Sequence, residues 1–139
     1  MKELRALVLL PFEESYSRLA EVIKLVLVKS GVVPVLPYDL NWSLTQPTLD
    51  TMTVAIQEAD MIVADVSRNS PNIFLELGFA LAFRKPIMVM MSIDYEGKIP
   101  SDLAGYMIIT YDPENLLSLE TKLYRFIQYQ VERRSAMYA

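Results

Sequence analysis

Short, uninterrupted apolar runs alternate along this chain with stretches in which apolar side chains return every three or four positions. Five such runs occur, at 6–10, 32–36, 61–66, 87–91 and 107–111. Predominantly apolar runs of this length read as strands buried on both faces. Between the first two, Leu19, Val22, Ile23, Val26 and Leu27 fall at helical spacing. Ser15 is the predicted N-cap and Gly31 the predicted stop, giving a helix of about four turns. Thr48 is placed to cap a second helix carrying Met52, Ala55, Ile56 and Ala59, and Phe74, Leu77, Gly78 and Leu81 mark a third. Leu116, Leu119, Leu123, Phe126 and Ile127 give a last helix its apolar face, with Arg133 and Arg134 near its negative dipole end. The weakest pattern lies at 94–105, where Gly97, Pro100 and Gly105 interrupt the chain. A mobile loop with one short helical turn at 101–104 is expected there.

Strands alternating with helices imply right-handed crossovers and a parallel sheet in a single domain over residues 1–139. Among doubly wound arrangements, the flavodoxin-like order 2-1-3-4-5 suits five strands. Ligands in such folds bind beyond the carboxyl ends of the strands where the order reverses, here between the first and third. Those strands end at Pro11-Phe12 and at Asp65-Val66-Ser67, with the loop 39–47 beside them.

Composition narrows the chemistry. Of 139 residues, 53% are hydrophobic and 22% charged, which excludes a disordered chain. The net charge of -4 argues against a nucleic-acid partner, because phosphate-backbone binding rests on clustered Lys and Arg. With neither cysteine nor histidine, a thiolate, an imidazole base and the usual zinc sites are excluded, and no metal or other cofactor is expected. Carboxylates must carry any acid–base work. The first apolar run ends at Pro11, too short for a membrane span or signal peptide, so a cytoplasmic protein is expected.

Ser70-Pro71-Asn72 reads as a helix start, with Ser70 as cap and Pro71 where its missing N–H costs nothing. The following ten residues, 74–83, contain one charge, Glu76. A helix apolar all round is buried, and a buried carboxylate without a partner is costly. No cation lies three or four residues from Glu76 to pair with it, and Asn72 shares its face. A narrow solvent stripe would also accommodate Glu76, and an Asp in the place of Asp65 often closes a strand by accepting loop N–H bonds. Two carboxylates converging on one mouth favour a site, because perturbed acid pairs cluster at functional positions. Phe12 is placed to stack on a planar base or to lid the core. Trp42, in a polar loop, suits a ligand or subunit contact, and Asp39 suits either a sugar hydroxyl or a turn. Arg68 stands at the entrance, where it reads a phosphate or remains in solvent.

Leu-Leu-Pro-Phe at 9–12, Ala-Asp-Met-Ile-Val-Ala-Asp-Val-Ser at 59–67, Pro-Asn-Ile-Phe-Leu-Glu-Leu-Gly-Phe-Ala at 71–80 and Lys-Pro-Ile at 85–87 occur in this order. Together they resemble the nucleoside 2-deoxyribosyltransferase-like superfamily and its TIR-like relatives. The resemblance implies cleavage or transfer at the N-glycosidic bond of a nucleoside, nucleotide or NAD-like molecule. It assigns the nucleophile to Glu76, places Asp65 in the same carboxylate cluster, has Asn72 lining the site and puts Phe12 in a substrate-contacting segment; Pro11, Ser67 and Ser70, at the strand ends and the helix start, are the further substrate-binding candidates. Ser67-Arg68, Ser70 and Leu75 depart from the commoner Thr-Gly, Asn and Tyr. Ser67 keeps a hydroxyl, and Arg68 would favour a phosphorylated substrate. The competing reading is a non-catalytic nucleotide-binding module that signals by self-association. A receiver-type phosphoacceptor fits poorly, since the first strand ends without an acidic pair and the fifth lacks a terminal Lys. Tyr124, Tyr129 and Tyr138 beside an amphipathic helix lead to an expected homo-oligomer.

Overall fold

A computed structural model describes residues 2–40, 48–95, 103 and 108–137. Five strands, β1 (Leu4–Leu9), β2 (Val32–Val35), β3 (Met61–Asp65), β4 (Ile87–Ser92) and β5 (Ile108–Tyr111), alternate with α1 (Ser17–Lys29), α2 (Thr48–Glu58), α3 (Pro71–Ala82) and α4 (Leu117–Met137). All strand pairs are parallel and the order is β2-β1-β3-β4-β5, as the alternation predicts. The chain has the flavodoxin-like fold.

β3 is central and every one of its residues is buried, which is why its sequence shows no polar alternation. Successive side chains go to opposite faces. Met61 and Val63 join a core with Ile23, Leu27, Leu119, Leu123 and Ile127 of α1 and α4. Ile62 and Ala64 join one with Met52, Ile56, Ile73, Leu77 and Ala80 of α2 and α3. At about 25 cal/mol per Å² of apolar area, each of the valine, leucine, isoleucine and methionine side chains contributes roughly 1.5–3 kcal/mol when fully buried, and the alanines less.

Two helix termini agree with the sequence, while one terminus and one helix face differ. Gly31 takes φ of +77°, the left-handed conformation that a stop after α1 requires. Ser70 caps α3 by accepting the Ile73 N–H at 3.4 Å, with Pro71 following it. Ser15, however, is not the cap of α1. A 3-10 turn at Glu14–Tyr16 buries the Tyr16 ring, and the helix starts afterwards, with the Ser17 hydroxyl donating back to the Glu14 carbonyl. Nor is α3 buried all round. Its inner side packs on the sheet, while Asn72, Gly78, Ala82 and the half-exposed Leu75 lie on the outer side. The loop and short turn expected at 94–105 lie largely outside the described residues. No described helix is long and apolar enough to cross a membrane.

Candidate active site

At the carboxyl end of β3 the alternation of faces turns Asp65 toward α1 and α4, into a fully buried position. Its Oδ1 accepts the Ser67 N–H at 2.7 Å, and its Oδ2 accepts a short hydrogen bond from the Tyr111 hydroxyl at the end of β5. Ser67 Oγ in turn accepts the Ser92 N–H at 2.8 Å, so the ends of β3, β4 and β5 are laced together by side chains. Burial raises the Asp65 pKa, and the Ser67 and Tyr111 bonds and Arg68 offset only part of that rise. Burial and the adjacent Asp65 carboxylate push the Tyr111 phenol upward as well. The turn after Asp65 closes with the Asn69 N–H on the Val66 carbonyl, and Asn69 takes φ of +55°, which Asn tolerates better than most residues. The Asn69 side chain accepts the Tyr95 hydroxyl at 2.9 Å.

Two hollows open beside this network. One, of about 450 Å³, is polar and includes Tyr16, Arg18, Ser67, Arg68, Ser92 and Tyr111 in its wall. The other, of about 330 Å³, is mainly apolar and includes Leu10, Pro11, Phe12, Leu36 and Tyr38. Tyr16 borders both. Between them Arg68 Nε donates to Glu13 Oε2 at 3.0 Å, and the guanidinium lies 5.7 Å from the Tyr16 ring centroid. Arg68 is thus tethered at the entrance, where the sequence left it reading a phosphate or free in solvent. Phe12 is 95% exposed, so it is no lid of the core, while Pro11 is buried.

Glu76 lines neither hollow. It belongs to α3, whose Ile73, Leu77 and Ala80 pack on the sheet face opposite that toward which Asp65 turns. The Glu76 carboxylate has no hydrogen bond or ion pair among the described residues, and burial alone pushes its pKa up to about 7. Asp65 is not among the causes. Ser70 spends its side chain on the α3 cap, and Asn72 is exposed in the first turn. Asp39 serves a turn, accepting the Leu36 N–H at 3.0 Å, and it lines a separate hollow with Asp50 and Glu58. Trp42 lies outside the described residues. No three carboxylates among the described residues form a set able to hold a metal ion. Sequence reasoning missed Tyr16, Arg18, Ser92 and Tyr111. For Ser92 and Tyr111 a signal existed, since each ends a strand at the edge where ligands bind.

No protein-family model matches the chain, and no curated protein does. Solved structures do match. The CMP N-glycosidase BcmB of Clostridium botulinum superposes with a TM-score of 0.63 at 18% identity, over 86% of this chain and 97% of that one. A TIR domain of the Toll-related receptor TRR-2 from Hydra magnipapillata gives 0.67 at 11% identity, over 88% and 97%. A flavodoxin-like domain from Synechococcus gives 0.60 at 15% identity, over 95% and 99%. At these identities the likeness is one of fold.

Proposed function

We propose that this chain cleaves or transfers the N-glycosidic bond of a nucleoside or nucleotide, with Glu76 as the attacking carboxylate. The observation that carries the proposal is a half-buried carboxylate with no protein partner among the described residues, held near neutral pKa by burial. A poorly solvated carboxylate is a costly feature to keep and a stronger nucleophile than a hydrated one. The Glu-Leu-Gly resemblance and the named activity of the clostridial neighbour support the same assignment. A Glu76 oxygen bonds to the anomeric carbon as the C–N bond breaks, and the electron pair leaves with the base, which takes a proton from water. Water or a second base then displaces Glu76 from the sugar, as in retaining glycosidases. Asp65, with both oxygens engaged, holds the Ser67–Arg68 turn instead of delivering the proton. The apolar hollow beside Phe12 and Tyr38 suits a planar base, and Arg68 a phosphate. No cofactor is required.

One observation favours a second reading, a nucleotide-binding module without turnover: Glu76 lines neither hollow. The two readings separate when wild type and Glu76→Gln are incubated with nucleosides, nucleotides and NAD and free base is followed by chromatography. Release by wild type and none by folded Glu76→Gln is the expected result. Undiminished release by the variant removes Glu76 as nucleophile. Calorimetric binding of a nucleotide with no release by wild type establishes the second reading.

A further inference from the structure

At the amino edge of the sheet, the end remote from Asp65, a third cleft of about 410 Å³ has Asp60, Arg84, Arg133 and Arg134 in its wall. Three guanidinium groups meet one carboxylate there, on a chain whose net charge is -4. That carboxylate is already committed. Asp60 Oδ2 accepts the Arg5 backbone N–H at 2.8 Å, and its Oδ1 accepts a short, charged bond from Arg134. Asp60 therefore fixes Arg134 in the cleft wall, leaving Arg84 and Arg133 with no carboxylate partner among the described residues. Complementing the end of a helix dipole accounts for two arginines on the last turns of α4. It does not account for Arg84, which comes from the connection between α3 and β4. Arg84 occupies a left-handed position, φ +56°, where glycine is favoured.

We infer that this amino-edge cleft binds a small ligand carrying two adjacent anionic groups, a diphosphate or a diphosphate-bearing molecule. Guanidinium forks match phosphate oxygens in pairs, and a cleft with an excess of positive charge focuses its field on an incoming anion. Two uncompensated cations drawn from different elements, beside a third held in place, suit two linked anionic groups better than one. The volume falls within the usual range for small-molecule sites. This site is independent of the carboxyl-edge chemistry and needs no turnover.

The test is calorimetric titration with inorganic pyrophosphate at fixed ionic strength, in an Arg68→Ala background that silences the guanidinium at the opposite edge. Adding Arg84→Gly and Arg133→Gln removes both unpaired charges. Glycine suits the left-handed backbone and Arg133 is exposed, so the fold is retained, as far-UV circular dichroism checks. The expected result is one binding site in the background protein that weakens at least tenfold with the two further substitutions. No binding in the background protein, or binding unchanged by the substitutions, overturns the inference.

Discussion

Burial raises the pKa of both Glu76 and Asp65, but their surroundings lead to different chemistry. Asp65 is buried among donors that already occupy both of its oxygens, so it organises a turn. Glu76 is buried among groups that offer it nothing, so its ionised form is the unstable one. If that ionised form is the nucleophile, base release should rise with pH as one proton leaves near pH 7, measured as kcat/KM between pH 5.5 and 8.5; a flat profile would count against it. The same shift sets the sign of a stability change. The folded pKa, about 7, exceeds the ordinary glutamate value of 4.5, so the favourable contribution is complete below about pH 4.5 and is lost as pH rises through about 7. The full shift corresponds to about 3 kcal/mol, which partial exposure and solvent screening reduce to about 1–2 kcal/mol. Glu76→Gln should therefore stabilise the fold by about 1–2 kcal/mol at pH 8 and by much less at pH 5, measured by urea denaturation. Stability lower than wild type at pH 8 would mean that the carboxylate holds the fold together. The lone charge between apolar residues 74 and 83 made Glu76 legible in the sequence. That Asp65 turns to the sheet face away from α3 was not, because the face a strand-end side chain takes depends on the register of the sheet.

The connection between β3 and α3 works as a unit. Asp65 and Ser67 lace the strand ends, Asn69 turns the chain, Ser70 and Pro71 start the helix, and Arg68 projects from the turn to Glu13 across the sheet's topological switch. Helix starts and strand ends were legible here because the local code is strong: a Ser-Pro cap, a glycine stop after α1, and an unbroken apolar run for a strand covered on both sides. The α1 start was misread because a buried aromatic, Tyr16, outweighs the capping preference of Ser15. The Glu13–Arg68 pair joins residues 55 apart, which no local pattern reveals. Glu13 and an incoming phosphate would compete for the same guanidinium. Arg68→Ala should therefore weaken nucleoside monophosphate binding several-fold while sparing the nucleoside, and Glu13→Gln should strengthen it. Calorimetry on both variants checks this, and equal losses for both ligands in Arg68→Ala would remove the phosphate role.

At the scale of the whole molecule, the question is which surface a second copy would cover. The tyrosines that suggested self-association do not form one stripe: Tyr124 and Tyr129 are both exposed, but five residues apart on α4 they stand about 140° apart around the helix. Tyr138 lies outside the described residues. The outer side of α3 is a better candidate, because Asn72, Leu75, Gly78 and Ala82 are exposed at spacings of three and four and carry no charge. Leu75, 51% exposed between half-buried Phe74 and Phe79, is the largest apolar side chain on that line. An uncharged helix face with small residues around one large one allows close helix approach, and burying Leu75 would add about 1–2 kcal/mol per copy. A homo-oligomer through α3 would also bring a neighbour beside Glu76, adding to the burial that raises its pKa. Wild type should therefore scatter light as an oligomer at micromolar concentration, Leu75→Asp should be monomeric with an unchanged circular dichroism spectrum, and the pH midpoint of any base release should fall in the variant. A monomeric wild type would remove the assembly. An oligomer that survives Leu75→Asp would move the interface away from α3, leaving the burial of Glu76 to the fold of one chain alone.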